Sequence, residues 1–262
     1  MASLSGKVAL VCAASQGLGR AAARALAADG ARLAICSRRP DAIASAAAGI
    51  ARETGADVAA FDADLSRPDG PARVVQQTVD RFGGLDVLVT NTGGPRSATF
   101  EALTDEDWRA AFDALVMSVV RLSRAAVPHL RARGGGRIIH ITSVSVKQPV
   151  DGLMLSNALR AAVTGFSKTL ASELASDGIL VNCVAPGFTR TERVTELTEA
   201  TAAREGVGAD AVEQRIVGQI PMGRLGEPHE LASLIAFLAS DSGSYVTGTT
   251  IQVDGGYVRS VF

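Results

Sequence analysis

The chain has 262 residues, 47% of them hydrophobic and 20% charged, with a formal net charge of −1. That size and apolar content suit one compact domain with a large core and exclude disorder as the main state. The balanced charge lacks the basic footprint of a nucleic-acid or membrane-surface binder, and no run approaches the roughly 20 apolar residues of a membrane helix, so the expected partner is a small molecule. Cys12, Cys36 and Cys183 lie in apolar runs without metal-ligand spacing, which predicts reduced core thiols in a cytoplasmic protein. The N-terminal run, one Lys ahead of a short apolar stretch, is too short for an export signal.

In chain order, short β-branched runs alternate with long Ala-rich amphipathic stretches. Strands are predicted over 8–13, 31–36, 57–62, 85–90, 137–142, 179–184 and 249–253, and helices over 19–29, 41–54, 71–82, 105–130, 156–176 and 228–239. Thr104, followed by Asp105, Glu106 and Asp107, marks the start of the fourth helix with acids at its positive end. This alternation predicts βαβ units, an α/β doubly wound parallel sheet with helices on both faces. The charged, weakly periodic segment 188–226 breaks the rhythm and is expected to be a substrate lid, against the plainer reading of a solvated helical excursion.

Ligands of open parallel sheets sit beyond the carboxyl ends of the strands, so the loops after the strands carry the chemistry. After the first strand comes AASQGLGR, in which Ser15, Gly17, Leu18 and Gly19 lead into a helix. Glycines there let the backbone approach a pyrophosphate, and the helix N-terminus adds free amides and a positive dipole end. Taken alone, the same turn could simply cap a helix. About 20 residues on comes Ser37-Arg38-Arg39, where an NAD site carries an acid on the ribose hydroxyls. An Arg suits a 2′-phosphate, and the plainer alternative is an ordinary basic turn.

The later loops read DADLS, TNTGGPRS, TSVSVK and APGFTRTER, with TTIQVDGGYV near the end. In this order and spacing, along almost the whole chain, the sequence resembles the short-chain dehydrogenase/reductase family, close to its β-ketoacyl reductase branch. The resemblance implies one Rossmann-type domain over 1–262 with about seven strands. The family's Thr-Gly-x-x-x-Gly-x-Gly turn falls on Cys12, Ala13, Gly17 and Gly19, with Ala for the first glycine. Asp64 falls at the adenine contact, and Asn91 with Gly93 on the Asn-Asn-Ala-Gly stretch. Pro186, Gly187, Thr189 and Thr191 match the segment that holds the nicotinamide amide and the phosphates. NADP(H) is expected in preference to NAD(H).

The catalytic positions differ from the family pattern. Where the family has an Asn in the fourth helix, a Ser after the fifth strand and Tyr-x-x-x-Lys opening the next helix, this chain has Leu115, Ser143, Ser156 and Arg160. The run KTLASELASDGILVNCVAPG downstream fixes the register of Ser156 and Arg160, and Leu115 is placed by counting from Trp108. Serine is shorter than tyrosine and a far weaker acid, and Arg160 can hold a ribose or an oxyanion but cannot pass on a proton. The Tyr mechanism is thereby excluded, at a cost of about 10² to 10⁴ in rate, while orientation of hydride donor and carbonyl can sustain a residual rate. Lys147 and Ser145 lie close enough to Ser143 in sequence to line the cavity; His140 reads as a core histidine. Arg96, Arg190 and Arg193 come from loops flanking the mouth and would suit an anionic acyl substrate.

The expected protein is therefore an NADP(H)-dependent oxidoreductase acting on a carbonyl or alcohol, of 3-oxoacyl type, with an altered proton-transfer group. A catalytically silent nucleotide-binding sensor or scaffold is the competing reading. Family packing of helices 105–130 and 156–176, and pairing of strands around VDGGY, implies a homotetramer with a dimer as fallback; Ala161, Ala162 and Gly165 would allow close packing.

Overall fold

The computed structural model describes residues 3–261. Seven parallel strands form one sheet in the order β3-β2-β1-β4-β5-β6-β7. They are β1 Val8–Cys12, β2 Arg32–Ser37, β3 Val58–Asp62, β4 Val87–Thr90, β5 Gly136–Ile141, β6 Ile179–Pro186 and β7 Thr250–Val253. The order reverses between β1 and β4, which pair directly, and the loops after these two strands open the crevice where ligands bind in such sheets.

Helices cover both faces. They are α1 Gly17–Ala28, α2 Pro40–Thr54, α3 Gly70–Phe82, α4 Asp105–Phe112, α5 Ser118–Ala132, α6 Met154–Leu174, α7 Glu192–Glu205, α8 Ala209–Val217 and α9 Pro228–Ala239. Side chains alternate along each strand, so Ala9 and Val11 join the core under α1, α2 and α9, while Val8, Leu10 and Cys12 join the core under α3, α5 and α6. All three cysteines are buried and free. Cys12 and Cys36 are register partners, and the hydrogen bond to Cys36, together with burial, pushes the Cys12 thiol up.

Two features depart from the expected elements. The helix expected over 105–130 is two helices joined by a π turn over Asp113–Met117, and the second runs on through Pro128 to Ala132. A slip in hydrogen bonding leaves the apolar pattern intact, so periodicity could not reveal it. The start is as expected: Thr104 accepts from the Asp107 amide at 3.2 Å while Asp107 accepts from the Thr104 amide at 3.0 Å, a reciprocal cap worth about 1 kcal/mol. Within 188–226 lie α7 and α8, and the ends of the segment are pinned together, Arg190 N to Gly226 O at 2.8 Å and Gly226 N to Phe188 O at 2.9 Å. Its apolar residues Phe188, Val194, Ile216 and Leu225 pack with Val144 and Val150 of the β5 loop. The segment therefore folds back over the carboxyl end of the sheet. Among the described residues no helix is long and apolar enough to cross a membrane.

Candidate functional site

The turn after β1 is tight. Ala13 has φ +48° and Gly17 φ +56°, the left-handed region that costs an L side chain about 1–2 kcal/mol. Gly19, in the first turn of α1, lies so close to the turn after β1 that a Cβ there would collide with the Ala13 carbonyl and lie 2.9 Å from Asn91 Nδ2. No side chain caps the helix at Gln16, and no acid stands in its first turn, so the leading amides are left for an anion. Thr191, at the end of the loop after β6, and Glu192, the first residue of α7, stand over the same turn, with a Cβ at Gly17 falling 3.7 Å from Thr191 Cγ2 and 3.5 Å from Glu192 Oε2. Ser15 and Leu18 are half-buried in this turn, and Gly93 faces open space at the head of the β4 loop.

Beyond Ser37, which ends β2, Arg38 and Arg39 are both exposed, and the first carboxylate, Asp41, comes only in the first turn of α2. Arg39 Nη2 donates to Gln16 Oε1 at 3.3 Å, so it reaches the glycine turn. Sequence reasoning singled out Arg38 in this pair, and nothing in the spacing marked Arg39 as the one that reaches across. Asp64 accepts from the Ser66 hydroxyl at 2.7 Å and the Ser66 amide at 3.0 Å. The Ser66 hydroxyl above all holds the Asp64 carboxyl below its ordinary range; burial opposes it, and the Ser66 amide and the positive charges of Arg38 and Arg67 add to the lowering.

On the other side of the crevice, Ser143 follows β5 and its Oγ accepts from the Ser145 amide at 3.1 Å, which leaves its own proton free to be donated. Ser156 is buried in the first turn of α6, and Arg160 lies one turn further on. Asn157 was not anticipated from sequence; it holds the loop ahead of α6 in place, donating to Val150 O at 3.0 Å and accepting from Val150 N at 3.3 Å. Arg160 Nη1 donates to the Ile141 carbonyl at 3.2 Å. Burial and then the neighbouring Arg193 guanidinium pull Arg160 down to about 10, so it remains a cation at neutral pH. Leu115 sits in the π turn, packs with Leu155 and Leu159, and with Leu155, Gly93 and Gly94 lines a cavity of about 200 Å³.

The other candidates separate clearly. Lys147 is half-buried just past the short turn Val144–Val146. His140 is fully buried, 2.7 Å from Thr90 Oγ1 through Nδ1, with Nε2 unpartnered, and burial pushes it down to about 3. It is a neutral core group. Of the three arginines expected to flank the mouth, Arg96 is paired to Asp107 at 2.8 Å and Arg190 to Glu227 at 3.3 Å, so their charge is spent locally. Arg193 also has a carboxylate, Glu196 at 3.6 Å, but its guanidinium lies against Gly94 and donates to Pro95 O at 2.7 Å. Thr189 is buried, and Gly187 is packed against Asp254 beside Pro186, which fixes the path of the β6 loop toward the glycine turn.

Comparison with known proteins gives a consistent result. A family described as enoyl-(acyl carrier protein) reductase matches residues 12–258. The chain is 35% identical to dehydrogenase/reductase SDR family member 4 of Oryctolagus cuniculus, over 97% of this chain and 94% of the relative. It is 36% identical to a 3-oxoacyl-[acyl-carrier-protein] reductase of Synechocystis, over 98% of this chain and 99% of the relative. Among solved structures, L-sorbose reductase of Gluconobacter frateurii complexed with NADPH and L-sorbose superposes with a TM-score of 0.94 at 35% identity, covering 99% of each chain.

Proposed function

Because this chain belongs to the short-chain dehydrogenase/reductase family, we propose that it is an NADP(H)-dependent oxidoreductase that interconverts a carbonyl and an alcohol, with a 3-oxoacyl-type compound as the substrate class and an altered proton-transfer group. The observation that carries this is the convergence of three other loops on the turn after β1: Asn91 donates to the Ala13 carbonyl, Thr191 and Glu192 stand over Gly17, and Arg39 reaches Gln16. The residues present fit a dinucleotide: uncapped amides at the start of α1, a cationic turn without a carboxylate after β2, and open space at Gly93. Bound there, the nicotinamide would supply or accept a hydride.

The chain's own residues then have separate tasks. Amides of Ser15, Leu18 and Gly19 and the hydroxyls of Thr189 and Thr191 would bind phosphates, Ser37 and Arg38 the 2′-phosphate, and Asp64 the adenine. Asn91, Pro186 and Gly187 would orient the nicotinamide half. Ser143 would donate its free hydroxyl proton as a hydrogen bond to the substrate oxygen. Arg160, charged throughout the working range, would hold an oxyanion or the ribose and would not shuttle protons. Ser156 leaves room where the family has a phenol, and Lys147 would be the remaining nearby cation. The segment 188–226 would close over the substrate, and the chain would assemble as a homotetramer, with a dimer as fallback.

The replacement of Tyr and Lys by Ser156 and Arg160 also favours a second function, a nucleotide-binding sensor or scaffold without turnover. One experiment separates the two. Purified protein is titrated with NADPH by fluorescence and then assayed for NADPH consumption with a panel of ketones. Saturable binding with turnover supports the oxidoreductase, binding without turnover the sensor, and absence of binding overturns both.

A further inference from the structure

The cavity of about 200 Å³ beside the β4 loop takes its walls from the segments that carry the candidate site. One wall is Gly93 and Gly94, which follow closely on Asn91, and another is Leu155, next in sequence to Ser156. Ala111, Ala114 and Leu115 complete an apolar lining, the last two from the π turn Asp113–Met117. A π turn gives up regular helical hydrogen bonding, and such slips recur at functional sites. The glycine wall is braced from outside: Arg193, which does not line the cavity, lies against Gly94 and donates to Pro95 O at 2.7 Å.

The charged groups of the lining, Arg96 and Asp107, cancel one another. Arg96 Nη1 donates to Asp107 Oδ2 at 2.8 Å and to the Ala102 carbonyl at 3.0 Å, while the same carboxylate accepts from the Thr104 amide at 3.0 Å. A charged ligand group would therefore lose hydration without gaining a free partner. A neutral apolar group meets no such cost, and a cavity of about 150 Å³ lined by aliphatic side chains accommodates benzene.

We propose that this cavity is a specificity pocket that takes the neutral, apolar arm of the carbonyl substrate, a single ring or a short branched hydrocarbon group, and excludes charged arms. The inference rests on the oxidoreductase function proposed above and narrows its substrate. Gly93 suits the passage from reacting carbon to arm, because a Cβ there would meet nothing within 4 Å and the backbone is open to a flat group. Leu115 and Leu155 supply the apolar contact, and the small side chains of Ala111 and Ala114 leave the volume.

Trp108, the only tryptophan, packs against the cluster of Ala111, Leu115 and Leu155, so its fluorescence reads the cavity without turnover. Protein with and without saturating NADP⁺ is titrated with acetone, acetophenone, 4-acetylbenzoate and 4-acetyl-N,N,N-trimethylanilinium. Acetophenone should bind about tenfold or more tightly than acetone, the order expected for burying a six-carbon ring, and both charged analogues about tenfold or more weakly than acetophenone. Ala114→Leu, which fills the cavity from a half-buried position, should weaken acetophenone about tenfold and leave acetone and NADPH within about twofold. Leu115→Ala, which enlarges it, should shift preference from acetophenone toward 2-acetylnaphthalene. Charged analogues that bind as well as acetophenone, or acetophenone affinity unmoved in both variants, would overturn the pocket and leave the cofactor function standing. Failure to bind NADPH, with a ketone signal that still responds to Ala114→Leu, would overturn the oxidoreductase function and leave the cavity as a binding site for neutral apolar groups.

Discussion

Asn91 donates its side-chain amide to the carbonyl of Ala13 at 3.4 Å, tying the first residue after β4 to the non-glycine residue that holds a positive φ after β1. The two loops that flank the sheet's reversal point are thus locked together before any ligand arrives. Gly19 fits beneath that link only because it has no side chain. Ala13→Gly should therefore stabilise the fold by about 0.5–1 kcal/mol, the left-handed cost less the added chain entropy of glycine. Gly19→Ala should destabilise it and weaken NADPH binding at least tenfold. Urea midpoints and a fluorescence titration check both, and normal NADPH binding by the Gly19→Ala variant would show that the turn does not hold the cofactor.

Cofactor choice depends on the turn after β2. Arg38 sits within electrostatic reach of Asp64, and Arg39 reaches Gln16, so two cations stand in the turn after β2, where a ribose 2′ position would lie. NADPH should bind more tightly than NADH. Arg38→Ala should weaken NADPH by about tenfold, the order of one charge-assisted contact, and leave NADH within twofold. Calorimetry that finds NADH equal or better in the unmodified protein would contradict this.

The outline of the sheet was legible because strands buried on both faces must read as short β-branched runs and covering helices as amphipathic ones, and α9 was located at both of its ends. The Thr104 start was legible because a capping box is local. Charge partners were not. Arg96 and Arg193 look alike in sequence, and only the fold places Asp107 against the first and turns the second onto Gly94. The π turn at Leu115 was hidden for a different reason, since it alters hydrogen bonding without altering which residues are apolar.

Acid sensitivity should have a component from His140. Its folded-state value of about 3 lies below the unfolded reference of about 6.5, so between these values the unfolded chain binds a proton that the folded chain excludes. The stabilisation is complete above the unfolded value and is lost as pH falls toward 3. Between pH 7 and 5 the loss should be about 2 kcal/mol, an order-of-magnitude figure. His140→Asn, which keeps an acceptor for Thr90, should remove most of it. Urea midpoints at the two pH values in both proteins decide the matter, and an equal loss in the variant would assign the acid sensitivity elsewhere.

Assembly follows from exposed surfaces with little side-chain bulk. Ala161, Ala162 and Gly165 are exposed along α6, a Cβ at Gly165 would meet nothing within 4 Å, and Phe112 at the end of α4 and Met154 at the start of α6 are large apolar side chains left in solvent. At the other end, β7 is an edge strand and Tyr245 is fully exposed. Light scattering at micromolar concentration should give a tetramer, and Gly165→Glu should reduce it to a smaller species. A monomer would contradict both packing surfaces.

The final prediction concerns Ser156 and Arg160, one turn apart at the start of α6. If they mark chemistry lost from an intact scaffold, Ser156→Tyr with Arg160→Lys restores a phenol and an ammonium beside Ser143, and ketone reduction with NADPH rises by about 10² or more. If they belong to a rebuilt site, the phenol fills space that Ser156 leaves open and the shorter point charge of Lys gives up the guanidinium fork, so ligand binding and any native turnover fall. The rebuilt site is the expected outcome, because Arg160 is held by the Ile141 carbonyl and, with no carboxylate paired to it among the described residues, keeps its charge in a partly buried place, where an unused position would lose it. Arg160→Met removes that charge with little change in volume. Unchanged cofactor affinity, ligand affinity and turnover in this variant would show that Arg160 has no part in the site.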